Sequence, residues 1–186
     1  MAVKYYPRDP ALRAKSSGTW NDIALWFGGL SAQSRASTPE IKQKVAELTA
    51  NAPTSLDKIK ALASFMQRDV RYVAIEIGIG GFQPHPASEV FRFHYGDCKD
   101  KVTLLSAMLQ DAGIESYYVP AQTDRGIVNP DFPAAGSFNH VIIAIHLPDD
   151  VPNGKLWAVV NHPKYGRLLI FDPTDPYTPL GYIPYF

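Results

Sequence analysis

The sequence contains one cysteine, Cys98, and its setting favours nucleophilic chemistry. Cys98 stands directly before an apolar pattern of helical period. The unpaired N–H groups at a helix N-terminus favour negative charge, so a thiol placed there is biased toward the reactive thiolate. Downstream, His140 stands near the start of an apolar strand and Asp172 ends another. Cysteine, histidine and aspartate in this arrangement indicate acyl-transfer chemistry.

The residues that flank Cys98 modify this prediction. Asp97 is the natural N-cap of the helix, but its charge opposes the thiolate unless the carboxylate binds backbone N–H groups. Lys99 and Lys101 add positive charge nearby. The segments between the three candidate residues are long enough for a strand, a loop and a return to a neighbouring strand. Convergence of the three is therefore feasible.

The elements that must position these residues follow from periodicity and capping signals. Two helices are predicted over 20–30, where Gly28-Gly29 mark the end, and from Pro39 to a break at 51–53. Three more are predicted over 54–66, over 89–93 with Ser88 as the cap, and over 98–111. Strands are predicted over 71–77, 116–121, 138–147, 155–160 and 167–171. Helices first and a mostly antiparallel sheet afterwards indicate an α+β fold.

Length and composition limit the class of protein. A chain of 186 residues suits a single domain with a sizeable core. The 18 basic and 18 acidic residues balance, which argues against nucleic acid or an anionic membrane as partner. No run is long enough for a transmembrane helix, and the N-terminus lacks the apolar core of a signal peptide. One cysteine cannot form an internal disulfide.

The last residues, 180–186, are apolar and aromatic without a polar finish. We therefore expect residues 1–186 to be one domain taken from a longer, multidomain and exported chain. A tail that docks on its own domain is the alternative, and the sequence leaves it open.

Four histidines raise the alternative of a metal site, together with Cys98. Their spacings fit no compact ligand motif, and they fall on different predicted elements; they are His85, His94, His146 and His162. The glycines at 78–81 lack the Gly-Lys-Ser/Thr that a phosphate-binding loop requires. We expect neither a metal nor a cofactor.

Three motifs together resemble those of the transglutaminase-like superfamily, in the branch found in large bacterial proteins with flanking β-rich domains. They are Gly96-Asp97-Cys98-Lys99-Asp100-Lys101, Asn139-His140-Val141 and Phe171-Asp172-Pro173-Thr174. The resemblance covers residues 20–182. It implies a papain-like fold, in which a cysteine-bearing helix packs on an antiparallel sheet that carries histidine and aspartate. It also implies Cys98 as the nucleophile, His140 as the general base and acid, and Asp172 as the acid that orients the imidazole.

The resemblance further implies a reaction and its partners. A peptide or protein substrate would form a thioester with Cys98, and water or an amine would release it, with hydrolysis slightly favoured. No cofactor is implied, and the other partners would be the flanking domains of the parent chain. The oxyanion would bind the Cys98 N–H and one upstream side chain, for which Tyr72 and Gln83 are the two candidates.

Simpler interpretations stand beside these. Cys98 would be a buried apolar residue and His140 a structural one. Asp172 would only form a turn, and Asp175 is the residue most easily mistaken for it. Four aromatic residues either line a substrate groove or only pack in the core; they are Tyr117, Tyr118, Trp157 and Tyr177. The competing function is a non-catalytic module that binds peptide or glycan.

Overall fold

The computed structural model describes residues 18–75, 78–123, 128–152, 154 and 156–183. Within these ranges the chain forms five α-helices and six β-strands. The helices are α1 (Trp20–Ser31), α2 (Pro39–Thr49), α3 (Ser55–Asp69), α4 (Ala87–Phe93) and α5 (Cys98–Asp111). The strands are β1 (Arg71–Tyr72), β2 (Tyr95–Gly96), β3 (Ser116–Ala121), β4 (His140–His146), β5 (Val159–His162) and β6 (Gly166–Phe171). The predicted α+β class is confirmed.

The last four strands form one antiparallel sheet in the order β3-β4-β6-β5. Ala121 pairs with His140 where β3 meets β4, and Ile143 pairs with Phe171 where β4 meets β6. The two short strands β1 and β2 form a separate parallel pair just before α5, with Tyr72 opposite Gly96. Both sets of strands therefore bring strand ends toward the first turn of α5.

Helix α5 is the centre of the core. Every residue over 98–109 is buried, because α2, α3 and α4 pack on part of its surface and strands β3 and β4 on another part. Leu105, Met108 and Ile143 are among the apolar side chains that fill this interface. A helix that is enclosed on all sides has a fixed N-terminus, which matters for the residue that begins it.

Most predicted helix starts agree with the structure. Thr38, Thr54 and Asp97 are the N-caps of α2, α3 and α5, and each accepts a backbone N–H with its side chain. The predicted range of α1, 20–30, agrees with the structure to within one residue, but Gly28-Gly29 do not end the helix, which continues to Ser31. The buried Ser31 hydroxyl donates to the Gly28 carbonyl, which helps the last turn to continue through the glycines.

The predicted cap of α4 was also wrong. Helix α4 begins at Ala87, one residue before Ser88, and its N-cap position is Pro86 without a side-chain cap bond. The Ala87 N–H donates instead to the Ser34 carbonyl at 2.7 Å. A tertiary contact therefore satisfies the amide that a capping side chain would otherwise bind.

Three predicted strands differ by more than one residue in extent, and the one predicted over 138–147 is β4, His140–His146. The one predicted over 71–77 is reduced to β1, since its partner β2 has only two residues; Glu76 and Ile77 lie outside the described residues. The one predicted over 155–160 begins at Val159, and Lys155 lies outside the described residues. The N–H groups of Trp157 and Ala158 both donate to the Gly181 carbonyl at 2.8 Å, so the incoming chain binds the C-terminal segment.

Candidate active site

Cys98 is the first residue of α5, and Asp97 caps the helix in front of it. Asp97 Oδ1 accepts the Asp100 N–H at 3.2 Å, and Asp100 Oδ2 accepts the Asp97 N–H at 3.1 Å. This reciprocal capping box stabilises the first turn. The Asp97 carboxylate is thus bound to the backbone, which is the condition under which its charge opposes a thiolate least.

Asp97 also forms a buried ion pair with Lys99. Burial raises the pKa of Asp97 and the charge of Asp100 adds to the rise, while the hydrogen bond from Lys99 lowers it; the net pKa is raised. The Lys99 charge is therefore paired with the Asp97 carboxylate.

The surroundings of Gly96 explain why the Gly-Asp-Cys motif begins with glycine. A Cβ added at Gly96 would lie 2.6 Å from the Asp100 Cβ, closer than two carbon atoms can approach. Asp100 is buried, so it has no room to withdraw. A side chain at position 96 would displace the residue that completes the capping box beside Cys98.

His140 and Asp172 come together through the pairing of β4 with β6. His140 begins β4, Asp172 directly follows β6, and His140 Nε2 lies 2.8 Å from Asp172 Oδ2. Asp172 is buried, and its other oxygen accepts the Thr174 hydroxyl at 2.6 Å and the Thr174 N–H at 2.8 Å. Every described contact of this carboxylate therefore holds it toward the imidazole.

The electrostatics of His140 reflect two partners. Burial lowers its pKa, but hydrogen bonds with the side chains of Asp172 and Cys98 outweigh burial and raise the pKa to about 9. An imidazole between a carboxylate and a thiol can hold a proton at neutral pH and pass it on.

Asp172 has a complementary shift. Burial raises its pKa, but the hydrogen bonds with His140 and Thr174 outweigh burial, so the net pKa is lowered. The carboxylate stays ionised and stabilises the imidazolium. Asp175, the residue most easily confused with it, accepts the Tyr177 N–H and the Thr178 hydroxyl within its own turn.

The two oxyanion candidates lie in different places. Tyr72 is the last residue of β1 and lies opposite Gly96, which is two residues before Cys98. Gln83 is exposed in a loop that reaches the N-terminal end of α5. His85, two residues later, donates its N–H to Asp100 Oδ1 at 2.8 Å. Both candidates are thus tied to the segment that leads into α5.

The structure therefore brings Cys98, His140 and Asp172 together, and their catalytic roles stay a prediction. Sequence reasoning missed Thr174 and the contact of His85 with Asp100. The Asp-Pro-Thr motif held a signal for Thr174, since a hydroxyl two residues after an aspartate commonly binds its carboxylate. Over the described ranges, no three histidine, cysteine or acidic side chains form a metal-binding group.

A sequence model of the transglutaminase-like superfamily matches residues 42–166. This chain belongs to the transglutaminase-like superfamily. The matched region includes Cys98 and His140 and ends before Asp172. No curated protein matches the chain.

Similar solved structures come from three organisms. A candidate protease from Parabacteroides distasonis superimposes with a TM-score of 0.56 at 16% identity, over 80% of this chain and 29% of that one. A candidate cysteine protease from Cytophaga hutchinsonii gives 0.49 at 15% identity, over 82% and 42%. The periplasmic domain of TgpA from Pseudomonas aeruginosa gives 0.44 at 16% identity, over 78% and 47%. This transglutaminase-like chain thus spans less than half the length of each, and the first likeness supports the fold alone.

Each helix among the described residues of this transglutaminase-like chain is too short or too polar to cross a bilayer.

Proposed function

We propose that this chain is a transglutaminase-like cysteine enzyme that cleaves or transfers acyl groups at peptide or amide bonds. Cys98 is the nucleophile, His140 the general acid and base, and Asp172 the residue that orients His140. The observation that carries the proposal is the position of the His140 imidazole, which lies 2.8 Å from Asp172 Oδ2 and near enough to the Cys98 side chain for that side chain to raise its pKa.

In the first half-reaction His140 takes the proton of the Cys98 thiol, the sulfur attacks the carbonyl carbon of the substrate, and a C–S bond forms while the C=O π electrons move to the oxygen as an oxyanion. The imidazolium of His140 then donates its proton to the leaving nitrogen, and the C–N bond breaks. The products are a thioester on Cys98 and a free amine. Asp172 remains ionised throughout, since its pKa is lowered by the hydrogen bonds of His140 and Thr174, which outweigh burial.

In the second half-reaction water or an amine attacks the thioester carbon. His140 accepts the proton of the attacking group, and the C–S bond breaks to release the acid or the new amide. The Cys98 N–H at the start of α5 and one side chain, Tyr72 or Gln83, stabilise the oxyanion in both steps. We propose hydrolysis of peptide or amide bonds as the principal outcome.

The test uses the fact that Cys98 is the one cysteine of the chain. Alkylation by iodoacetamide, followed by intact-mass measurement, reports this sulfur alone. We expect the wild type to react at about pH 6 roughly tenfold or more faster than His140→Ala, since the imidazolium stabilises the thiolate. The matched control is His162→Ala, which changes a histidine on β5 away from the candidate site.

A thiol-directed acyl probe then tests the chemistry. We expect a thioester adduct on the wild type that hydroxylamine removes, and no adduct on Cys98→Ala. Equal alkylation of the wild type and His140→Ala at every pH, with no acyl adduct, would contradict the enzyme proposal.

The alternative is a non-catalytic module that binds peptide or glycan on the same fold. The observation in its favour is the burial of Cys98, which is only 4% exposed. It predicts slow alkylation that rises only where free thiols ionise, at about pH 8.5. The alkylation profile therefore separates the two functions.

A further inference from the structure

A groove of about 580 Å³ runs between helix α1 and strand β3. Five consecutive residues of β3, 116–120, line it. Strand β3 is the end strand of the described sheet, so the groove includes a sheet edge, while Ala144 of β4 and Leu168 of β6 extend its lining over the sheet face. A strand edge that lines a groove is the feature to which extended peptides add in β-augmentation.

The hydrogen-bonding pattern shows which β3 residues face the groove. The Glu115 carbonyl accepts the His146 N–H at 2.9 Å, and the Ala121 carbonyl accepts the Asn139 N–H at 3.1 Å. In an antiparallel pair these contacts alternate, so the backbone groups of Ser116, Tyr118 and Pro120 point away from β4. The N–H groups of Ser116 and Tyr118 therefore face the side of β3 that carries no strand of the described sheet.

The groove leads to the candidate active site. Its Pro120 end lies beside the pair of Ala121 with His140. Lys99, which follows Cys98, and Pro84, which follows Gln83, line the same groove. A chain lying along β3 would therefore reach the sulfur and the imidazole at one end of its path.

The walls of the groove define what it would accept. Most of the lining is apolar and aromatic; it includes Trp20, Phe27, Phe82 and Phe138. Arg35 is half-buried with its guanidinium 5.8 Å from the centre of the Tyr118 ring, and it makes no ion pair with a carboxylate among the described residues. An apolar groove that contains one cation of this kind complements a bulky apolar side chain close to a carboxylate.

We propose that this groove binds the substrate as an extended peptide that adds to β3 as a fifth strand. The peptide carries a bulky apolar side chain against the aromatic wall and an acidic side chain at Arg35. This inference rests on the proposed function above, and it specifies the substrate class and binding mode of the same site.

The probe is a positional-scanning library of acetylated octapeptide amides, bound to the Cys98→Ala protein so that no turnover occurs. We expect enrichment of aromatic or branched apolar residues and of aspartate or glutamate over lysine and arginine. The selected peptide is then resynthesised with one N-methyl group at each position in turn. Because every second N–H of an added strand points to its neighbour, affinity should fall about fivefold to tenfold at alternate positions and little between them.

Variants of the groove are tested with the same peptide. Phe27→Ala should weaken binding, whereas Leu25→Ala, at an exposed position of the same helix, should not. Arg35→Glu should reverse the preference from acidic to basic residues. The circular dichroism of each variant confirms that α1 is retained, and the N-methyl series needs no protein variant.

Three outcomes would overturn the inference: a library without selection, N-methyl effects without alternation, or an acidic preference that Arg35→Glu leaves unchanged. Failure of the proposed function gives a different result, namely alternating binding of the peptide without hydrolysis or acyl transfer by the wild type. Turnover by the wild type that is insensitive to Arg35→Glu and to N-methylation would overturn the binding mode and leave the enzyme proposal intact.

Discussion

Lys101 Nζ lies 2.7 Å from the carbonyl oxygen of Val70, in the interior of the protein. Lys101 is one turn after Cys98 on α5 and only 1% exposed, and Val70 is the C-cap residue of α3. Burial lowers the pKa of Lys101 to about 8, although the nearby charge of Asp172 opposes the shift. A charged side chain thus joins the cysteine-bearing helix to the segment that leads into β1.

Lys101→Met should change how stability depends on pH. Between pH 8 and 10.5 the native state has released the Lys101 proton while the unfolded state still binds it, so Lys101 makes the wild type more stable as pH rises. For one proton the slope is at most about 1.4 kcal/mol per pH unit. Urea unfolding of the wild type and Lys101→Met should therefore give a free-energy difference that grows in favour of the wild type across this window. A difference independent of pH would show that Lys101 does not titrate there.

His140 should titrate near pH 9 in the folded protein, as followed by NMR of its imidazole C–H groups. In Asp172→Asn the pKa should fall, because burial then acts with less opposition. Cys98→Ala should lower the pKa by a smaller amount. Titration of His140 at an unchanged pH in Asp172→Asn would contradict the coupling inferred from the 2.8 Å contact.

The same titration gives a stability prediction. Because the native pKa of His140 is raised to about 9, its contribution to stability is complete below 6.5, the ordinary pKa of histidine, and is lost as pH rises toward 9. The free energy of unfolding of the wild type should therefore decline relative to His140→Ala between these values. Calorimetry at about pH 6 and pH 8 measures the decline before Lys101 contributes strongly.

Thr174→Val removes a hydroxyl that donates to Asp172 Oδ1 at 2.6 Å and keeps the shape of the side chain. A hydrogen bond to a charged, buried carboxylate stabilises by about 1.5–3 kcal/mol, so a loss of that order is expected at neutral pH. The loss should shrink in acid, where Asp172 is protonated. Thr174→Ser retains the hydroxyl and serves as the control, and chemical denaturation gives the values. Equal stability of the valine and serine variants would rule out the hydrogen bond as a stabilising contact.

The oxyanion donor is identified by comparing Tyr72→Phe with Gln83→Ala. Loss of the true donor should lower kcat by about a hundredfold or more. Alkylation of Cys98 by iodoacetamide should be unchanged in both variants, because that reaction forms no tetrahedral oxyanion. If neither variant lowers kcat, the second donor is a different group from the two that the sequence suggested.

Much of the site was accessible from local sequence. The helix start at Cys98 and the cap at Asp97 depend on residues within one turn, so the pattern alone predicted them correctly. The cap of α4 failed for the opposite reason: the Ala87 N–H binds Ser34, which is distant in sequence. Likewise, the limited extent of β1 depends on its short partner β2.

The sequence by itself determined the α+β class, the helix that begins at Cys98 and the candidate set of Cys98, His140 and Asp172. These follow from periodicity, caps and motif residues, which are local properties. The tertiary structure alone decided that His140 meets Asp172 and not Asp175, because that choice depends on the register of β4 against β6. It also decided that Lys101 is buried and that β3 leaves an edge beside α1, since burial and sheet edges exist only after distant segments have packed.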